Sequence, residues 1–439
     1  MVSPGLIPTQ DDQGKRMSSE AVDRFNRRCG AAGLLILFAM VILNGLMRPK
    51  FNDFPQYYMG GLMALRGEWE SLYPDPYPGA TDNAGNVAAS RMRPCYAELA
   101  ASAGIGDGNR YFHPPPVAIL LAPLALFPYD VAHVVWQLIL LLAGWRVAVW
   151  AGRFYAEQHG ASRMAGWVTL LVAVSPLLYR CVRSSNLSSL VALFLAWIVW
   201  DLWRGKTLWG AAGMVLGVLF KYQPAVLVPL LLVTRRYRTL GVSAAAGIAV
   251  VAIGLIVGGV SPYQRYLFEI LPTMRWTMPL WNNQVLSAFL LQVLDEPVLS
   301  SPVQTGIRAG SLLLMAGILA LIWRARGVVR LDFGALCAAC CALVTWFVIA
   351  SPLFWAHYYI LFAPFAGWIW SEGRAGPSWR ILSLFILASF WFPLSLIHLF
   401  PIPLLLRFHT FAAALALHAL AIRRLIVCLR TKPKPAEAA

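Results

Sequence analysis

The chain reads as an all-α, polytopic transmembrane helical bundle of about twelve spans. Three features carry that reading. Hydrophobic residues make up 59% of the 439 residues and charged ones only 13%, with a mean hydropathy of +0.63; a soluble domain carries about 25% charged residues. Apolar runs of membrane-crossing length recur along nearly the whole sequence. Lys and Arg gather in the short segments between those runs. No hydrophilic stretch is long enough for a separate soluble domain. One membrane domain is expected over residues 30–428, between polar tails at 1–29 and 429–439.

The net charge of +16 invites a nucleic-acid reading. No basic stripe or reader motif accompanies it, and the positive-inside rule explains it better. The basic clusters are Lys15/Arg16/Arg24/Arg27/Arg28, Arg153/Arg163, Arg204/Lys206, Arg235/Arg236/Arg238, Arg324/Arg326/Arg330, Arg374/Arg380 and Arg423/Arg424/Arg430/Lys432/Lys434. If all face the cytoplasm, both termini lie inside and the number of spans is even.

The spans expected are 31–48, 130–151, 164–181, 187–203, 207–220, 223–234, 239–259, 303–323, 332–350, 354–370, 379–397 and 403–422. The first apolar run, Ala31–Met47, lacks a small-residue cleavage site and reads as a transmembrane helix, not a signal peptide. The segment 223–234 is short for a bilayer. Pro116–Pro128 is short and proline-flanked, and a crossing there would turn every later basic cluster outward. It reads as a helix dipping into the outer leaflet, inside a long first extracytoplasmic loop at 49–129. A second large outer loop runs over 260–302. Gly213/Gly217 and Gly254/Gly258 have the spacing of close helix packing, with dimerisation as the alternative. Cys337, Cys340 and Cys341 share one apolar helix without His or carboxylate neighbours, so they read as small packing residues and not as a metal site.

Ionisable groups near membrane depth are costly and mark candidate sites. Five polar patches lie at expected outer helix ends. Asp53 follows the first span amid aromatics and can serve as a general base or as the N-cap of a helix over Phe54–Leu65 with proline at its second position; both roles are compatible. His113 precedes Pro114-Pro115-Pro116 and can meet phosphate or sugar, or cap an interfacial turn. Arg180 and Arg183 stand against the charge rule, and so does Lys221 in Phe220-Lys221-Tyr222-Gln223-Pro224. A lipid phosphate would answer all three, with snorkelling as the alternative. His357 sits in Ser351-Pro352-Leu353-Phe354-Trp355-Ala356-His357-Tyr358-Tyr359, whose aromatics an interfacial belt explains.

One carboxylate, several cations and two histidines thus collect on one side, with aromatics suited to sugar faces. Glycoside hydrolysis usually needs two carboxylates. A sugar already carried on a lipid phosphate has a good leaving group, and needs one base and positive charge to receive the phosphate. Composition alone also fits a transporter.

In their order, several motifs resemble glycosyltransferase family 87 (DUF2029), polyprenol-phosphate-mannose-dependent mannosyltransferases of the GT-C superfamily. They are Asp53-Phe54-Pro55-Gln56-Tyr57-Tyr58 with Leu72-Tyr73-Pro74, and His113-Pro114-Pro115 running into Ala122-Pro123-Leu124-Ala125-Leu126-Phe127-Pro128. Next come Gly217-Val218-Leu219-Phe220-Lys221-Tyr222-Gln223-Pro224, Asn283-Gln284, and Ser351-Pro352 with Trp355 and His357. The resemblance covers roughly residues 35–370.

It implies a GT-C fold and inverting transfer of a hexose, most simply mannose, with arabinose or glucose as other donors. The donor would be a polyprenyl-phosphate sugar and the acceptor an extracytoplasmic glycolipid or glycan. Asp53 matches the catalytic carboxylate, Lys221 a lysine near the donor phosphate, and His357 a polar position lining the same cavity. His113, Arg180, Arg183 and Asn186 join the implied donor site. Tyr57, Tyr58, Asn283, Gln284 and Trp355 would line the cavity or meet the acceptor.

No metal or other cofactor is expected; the lipid-linked sugar is a co-substrate. The expected setting is a bacterial plasma membrane with the site facing outward. Two departures stand out. Arg183-Ser184-Ser185-Asn186 replaces a Gly-Gln-x-Asn run and keeps only its Asn, and the loop from Tyr73 to Tyr111 is long enough to carry acceptor specificity. Two other functions compete: a transporter or flippase of lipid-linked sugars, against which stands the lack of an inverted repeat, and a non-catalytic subunit of an envelope-assembly complex.

Overall fold

The computed structural model describes residues 19–47, 53–73, 93–105, 111–273, 277, 283–296, 299–391 and 408–430. Outside them lie residues 1–18 and 431–439 of the expected tails, 48–52 where the first expected span meets the first loop, 74–92 and 106–110 of that loop, and parts of the second loop. Also outside is 392–407, where the last two expected spans meet.

The described residues are helical, with one isolated antiparallel bridge between Asn283 and Trp355. In chain order the helices begin with α1 (Ser19–Met47), α2 (Phe54–Arg66), α3 (Pro94–Ser102), α4 (Pro115–Leu121) and α5 (Tyr129–His159). Then come α6 (Arg163–Ala173), α7 (Pro176–Arg183), α8 (Ser188–Arg204), α9 (Thr207–Phe220) and α10 (Val228–Val233). After α11 (Tyr237–Gly258) the second loop carries α12 (Ser261–Arg265), α13 (Leu271–Thr273) and α14 (Leu286–Leu294). The last are α15 (Ser301–Leu331), α16 (Phe333–Ala350), α17 (Ala366–Glu372), α18 (Pro377–Trp391) and α19 (His409–Arg430). Proline opens α3, α4, α7 and α18, where its fixed φ suits a first turn and its missing N–H costs nothing.

Among the described residues, six helices are long and apolar enough to cross a membrane: α1, α5, α11, α15, α16 and α19. The expected span at 164–181 is two helices, α6 and α7, bent by 41°. Pro176 cannot supply the N–H that a continuous helix needs, and Ser175 Oγ accepts the Leu178 N–H at 3.2 Å to restart the chain. The 223–234 segment is likewise broken. Pro224 and Pro229 remove donors, so a 3-10 turn at Gln223–Leu227 precedes α10. The 354–370 segment is a 3-10 helix, Ala356–Phe365, containing Pro364 and leading into α17. The proline-flanked piece of the first loop forms α4 and a 3-10 turn at Ala122–Leu126.

Helix α16 is the most deeply buried of these six helices. Its small residues from Gly334 to Ala342 are buried, and Cys337, Cys340 and Cys341 are free thiols there. Helices α11 and α15 are mostly uncovered along their apolar lengths, as lipid-facing helices are. The four spaced glycines make contacts within the chain. A Cβ on Gly213 would come 2.6 Å from Phe194 O, and one on Gly258 2.9 Å from the Trp69 ring. Gly217 meets Pro224, and Gly254 meets Tyr263.

The two loops also grip one another. Arg265 donates to Glu70 O at 2.9 Å and Ser261 Oγ donates to Glu70 Oε2 at 2.9 Å.

Several of the described basic segments meet at one end of the bundle. There Arg204 pairs with Glu157 at 2.6 Å, Arg236 donates to Leu202 O at 2.7 Å, and Arg330 reaches Val233 O at 3.4 Å. Arg424 bonds both oxygens of Asp332 at 3.0 Å, and Arg423 pairs with Glu372 at 3.4 Å. Along α8, Ser188 and Arg204 stand at opposite ends, about 24 Å apart at 1.5 Å per residue.

Candidate active site

The polar groups at the other end converge on one turn, Ser184–Asn186, between α7 and α8. Asp53 occupies the N-cap position of α2, but its carboxylate makes no capping bond. Its backbone N–H is bound to Ser184 O at 2.8 Å, and its Oδ2 accepts from Asn186 Nδ2. The Asp53 carboxyl is thus bound to Asn186 and does not cap the helix terminus.

Lys221 arrives from the break after α9, where the backbone turns extended at φ −156°. Its Nζ donates to Asn186 Oδ1 at 3.0 Å and to Ser188 Oγ at 2.9 Å, and lies 3.4 Å from the centre of the Tyr358 ring. Asn186 therefore touches the acid and the amine at once. Tyr358 comes from the Ala356–Phe365 turn.

His113 is fixed on the same side. Its Nδ1 donates to Phe220 O at 3.2 Å, next to Lys221 in the chain, which leaves Nε2 as an acceptor. Tyr73 donates to His113 O at 2.7 Å, and the Tyr57 ring lies 5.3 Å from the imidazole. Tyr57 itself is buried against Trp136, and Tyr58 donates to Phe127 O at 3.0 Å.

Electrostatics follow from this crowding. Loss of hydration pushes the Asp53 carboxyl above its ordinary range, and the Asn186 bond and Lys221 charge only partly oppose it. Desolvation lowers Lys221 to about 7, despite the pull of Asp53. His113 falls to about 3, first by burial and then by repulsion from Lys221, so its ring is neutral.

The remaining expected residues fall into three groups. Arg180 is half-buried on α7 and Arg183 is exposed at its end. His357 is half-buried with a buried Nε2 that makes no hydrogen bond, while its carbonyl accepts from Cys181 Sγ at 3.3 Å; Arg180 and Lys221 both act on the ring. Asn283 and Gln284 are buried and brace the segment before His357. Asn283 Oδ1 accepts from Phe354 N at 2.9 Å, and Gln284 Oε1 accepts from Thr410 Oγ1 at 2.7 Å. Trp355 bridges to Asn283.

Sequence reasoning passed over Ser188, Tyr358 as a cation partner, and the anchors of the turn on α5. The anchors are Trp136 Nε1, which donates to Ser185 O at 3.0 Å, and His133 and Gln137, whose side chains each lie 3.0 Å from Ser185 Oγ. The cluster of polar residues in Asn186-Leu187-Ser188-Ser189, at the mouth of an apolar helix, was the available signal for Ser188.

A carboxyl group, an amine and a neutral imidazole facing one region can accept a proton from a hydroxyl and receive a phosphate.

The chain is similar to the polyprenol-phosphate-mannose-dependent alpha-(1-2)-phosphatidylinositol pentamannoside mannosyltransferase of Mycolicibacterium smegmatis, 26% identical over 299 residues, which is 65% of this chain and 66% of that protein. The protein of the same description from Mycobacterium tuberculosis is 23% identical over 280 residues, 62% of this chain and 61% of that one. The match thus spans just under two thirds of the length of these relatives.

The family model described as glycosyltransferase family 87 matches residues 111–352. That range holds His113, Arg180, Arg183, Asn186, Lys221, Asn283 and Gln284, and is flanked by Asp53 on one side and His357 on the other. Since it takes in more than half of the sequence, the chain belongs to glycosyltransferase family 87.

Proposed function

We propose that the protein is a membrane glycosyltransferase. It moves a hexose, in the first instance mannose, from a polyprenyl-phosphate carrier to an extracytoplasmic glycolipid or glycan, with inversion. The observation that carries this reading is the linked set of Asp53, Asn186 and Lys221 at the end of the bundle away from the basic segments. The names of the relatives support the donor class.

In the proposed reaction an acceptor hydroxyl gives its proton to Asp53. The acceptor oxygen then bonds to the anomeric carbon as the bond from that carbon to the phosphate oxygen breaks. Polyprenyl phosphate leaves with the electron pair. Lys221, Arg180 and His357 would receive the phosphate, with His113 and Arg183 as further donor contacts. The raised pKa of Asp53 makes it a better base than an ordinary carboxylate. Burial brings Lys221 down to about 7, and an anionic phosphate beside it would favour its charged form. Tyr57, Tyr58 and Trp355 offer aromatic surface for the sugar or acceptor.

The basic segments at the opposite end support a site facing outward with both termini cytoplasmic, in a bacterial plasma membrane.

The test is transfer by the purified protein in vesicles. Labelled polyprenyl-phosphate mannose and a membrane glycolipid extract are supplied from outside. Label moving to glycolipid is the expected result. Scrambling of the intact donor across the bilayer without transfer would replace this reading with that of a flippase.

A further inference from the structure

The side chain of Asn186 has no freedom to serve as an ordinary ligand contact. Its Oδ1 accepts three donors: Ser188 N at 3.0 Å, Ser188 Oγ at 2.6 Å and Lys221 Nζ at 3.0 Å. Its Nδ2 donates to Asp53. Turning the amide over would set its hydrogens against the Ser188 N–H and the ammonium, so the orientation is fixed by the network. The backbone is fixed too. Asn186 N–H is bound to Cys181 O at 2.8 Å, and the preceding Ser185 sits in the left-handed region at φ 53°. Three α5 side chains hold Ser185 there. The same turn binds the Asp53 backbone through Ser184 O.

We propose that Asn186 is a positioning residue whose amide acts as a spacer, holding the Asp53 carboxyl group and the Lys221 amine apart so that neither is used up by the other before the substrates arrive. This rests on the reading of Asp53 as the base. In a site poor in water, an acid and an amine left to themselves close into a contact pair. Such a pair would make Asp53 a weaker base and would occupy the cation that the phosphate needs. An amide avoids both, because it satisfies each charge through a neutral group. Ser188 completes the device by taking a second Lys221 hydrogen while donating to Asn186, so that two of the amine's hydrogens are spent on neutral oxygens. The titratable groups facing Asp53 are Lys221, Cys181, Tyr57 and Tyr358, and of these Lys221 alone can carry positive charge.

The test is the pH profile of kcat/KM for transfer by the full chain in vesicles, comparing wild type with Asp53→Asn, Asn186→Ala and Asn186→Gln. In wild type the acid limb reports the base. With the spacer gone in Asn186→Ala, Lys221 closes on Asp53, the limb moves down by about one pH unit, and the plateau falls about tenfold or more. Asn186→Gln keeps an amide between the charges and holds the limb within a few tenths of the wild-type position. If Asn186→Ala fails to fold, Asn186→Ser serves instead, since its hydroxyl is too short to reach both groups.

An acid limb that stays in place or rises in Asn186→Ala or Asn186→Ser overturns the spacer. Equal shifts in the Ala and Gln variants do the same. A limb that survives in Asp53→Asn overturns the assignment of the base itself, and is thereby told apart from failure of the spacer alone.

Discussion

Ser185 offers the sharpest test of how the site is held. It is a non-glycine residue at φ 53°, and its side chain and carbonyl bond to three residues of α5. A left-handed backbone costs an L-residue about 1–2 kcal/mol relative to glycine. Removing the hydroxyl leaves the Gln137 and His133 side chains without their shared partner, a cost of about 1–3 kcal/mol. Ser185→Ala suffers the second loss and keeps the backbone cost. Ser185→Gly suffers the same loss but relieves the backbone.

The expected order of stability is therefore wild type, then Ser185→Gly, then Ser185→Ala, with about 1–2 kcal/mol between the two variants. Elsewhere in a helical protein alanine is the better of the pair, so the inversion is diagnostic. Thermal unfolding in detergent, followed at matched protein and detergent concentrations, reads the order. Finding Ser185→Ala as stable as Ser185→Gly or more so would refute the idea that the turn is a strained element held from α5.

Other expectations follow from the same geometry. Gly213→Ala drives a methyl to 2.6 Å from Phe194 O and should cost about 1–3 kcal/mol, whereas Gly306→Ala on α15 meets open space and should cost nothing; unfolding midpoints separate them. Because folding raises the Asp53 pKa, its charge opposes the fold above the ordinary carboxylate pKa and the penalty vanishes as the group is protonated. Asp53→Asn should therefore be at least as stable as wild type at pH 7, and a midpoint clearly below wild type would contradict this. Burial lowers Lys221 to about 7, so the donor KM should rise as pH climbs above 7, toward tenfold per pH unit. That dependence should disappear in Lys221→Met, measured by initial rates against donor concentration.

The bundle was legible because lipid imposes it. The apolar runs in the described residues are helical, and arginines of several basic segments lie close together at one end. What hydropathy could not show was where an apolar run breaks. The bend at Ser175-Pro176 and the 3-10 stretches around Pro224 and Pro364 depend on single missing donors, which barely change a run's average hydropathy.

Candidate residues stood out where a charge stood against its surroundings. Asp53 and Lys221 are such charges, and the structure joins them through Asn186. Tyr358 was hidden among aromatics that an interfacial belt already explained, yet its ring lies beneath Lys221. Trp136, His133 and Gln137 lie in the span α5, and nothing in its sequence tells which turn they face. Asn283 and Gln284, picked out as cavity residues, brace the Phe354 backbone and α19 through Thr410.

The most direct measurement is mannose transfer from polyprenyl-phosphate mannose by wild type and Asp53→Asn, in vesicles that contain equal amounts of folded protein. A base at Asp53 requires transfer by wild type and a fall of about 10²-fold or more in the variant, with the thermal midpoint undiminished. Undiminished transfer by Asp53→Asn would contradict the assignment and place the proton acceptor elsewhere.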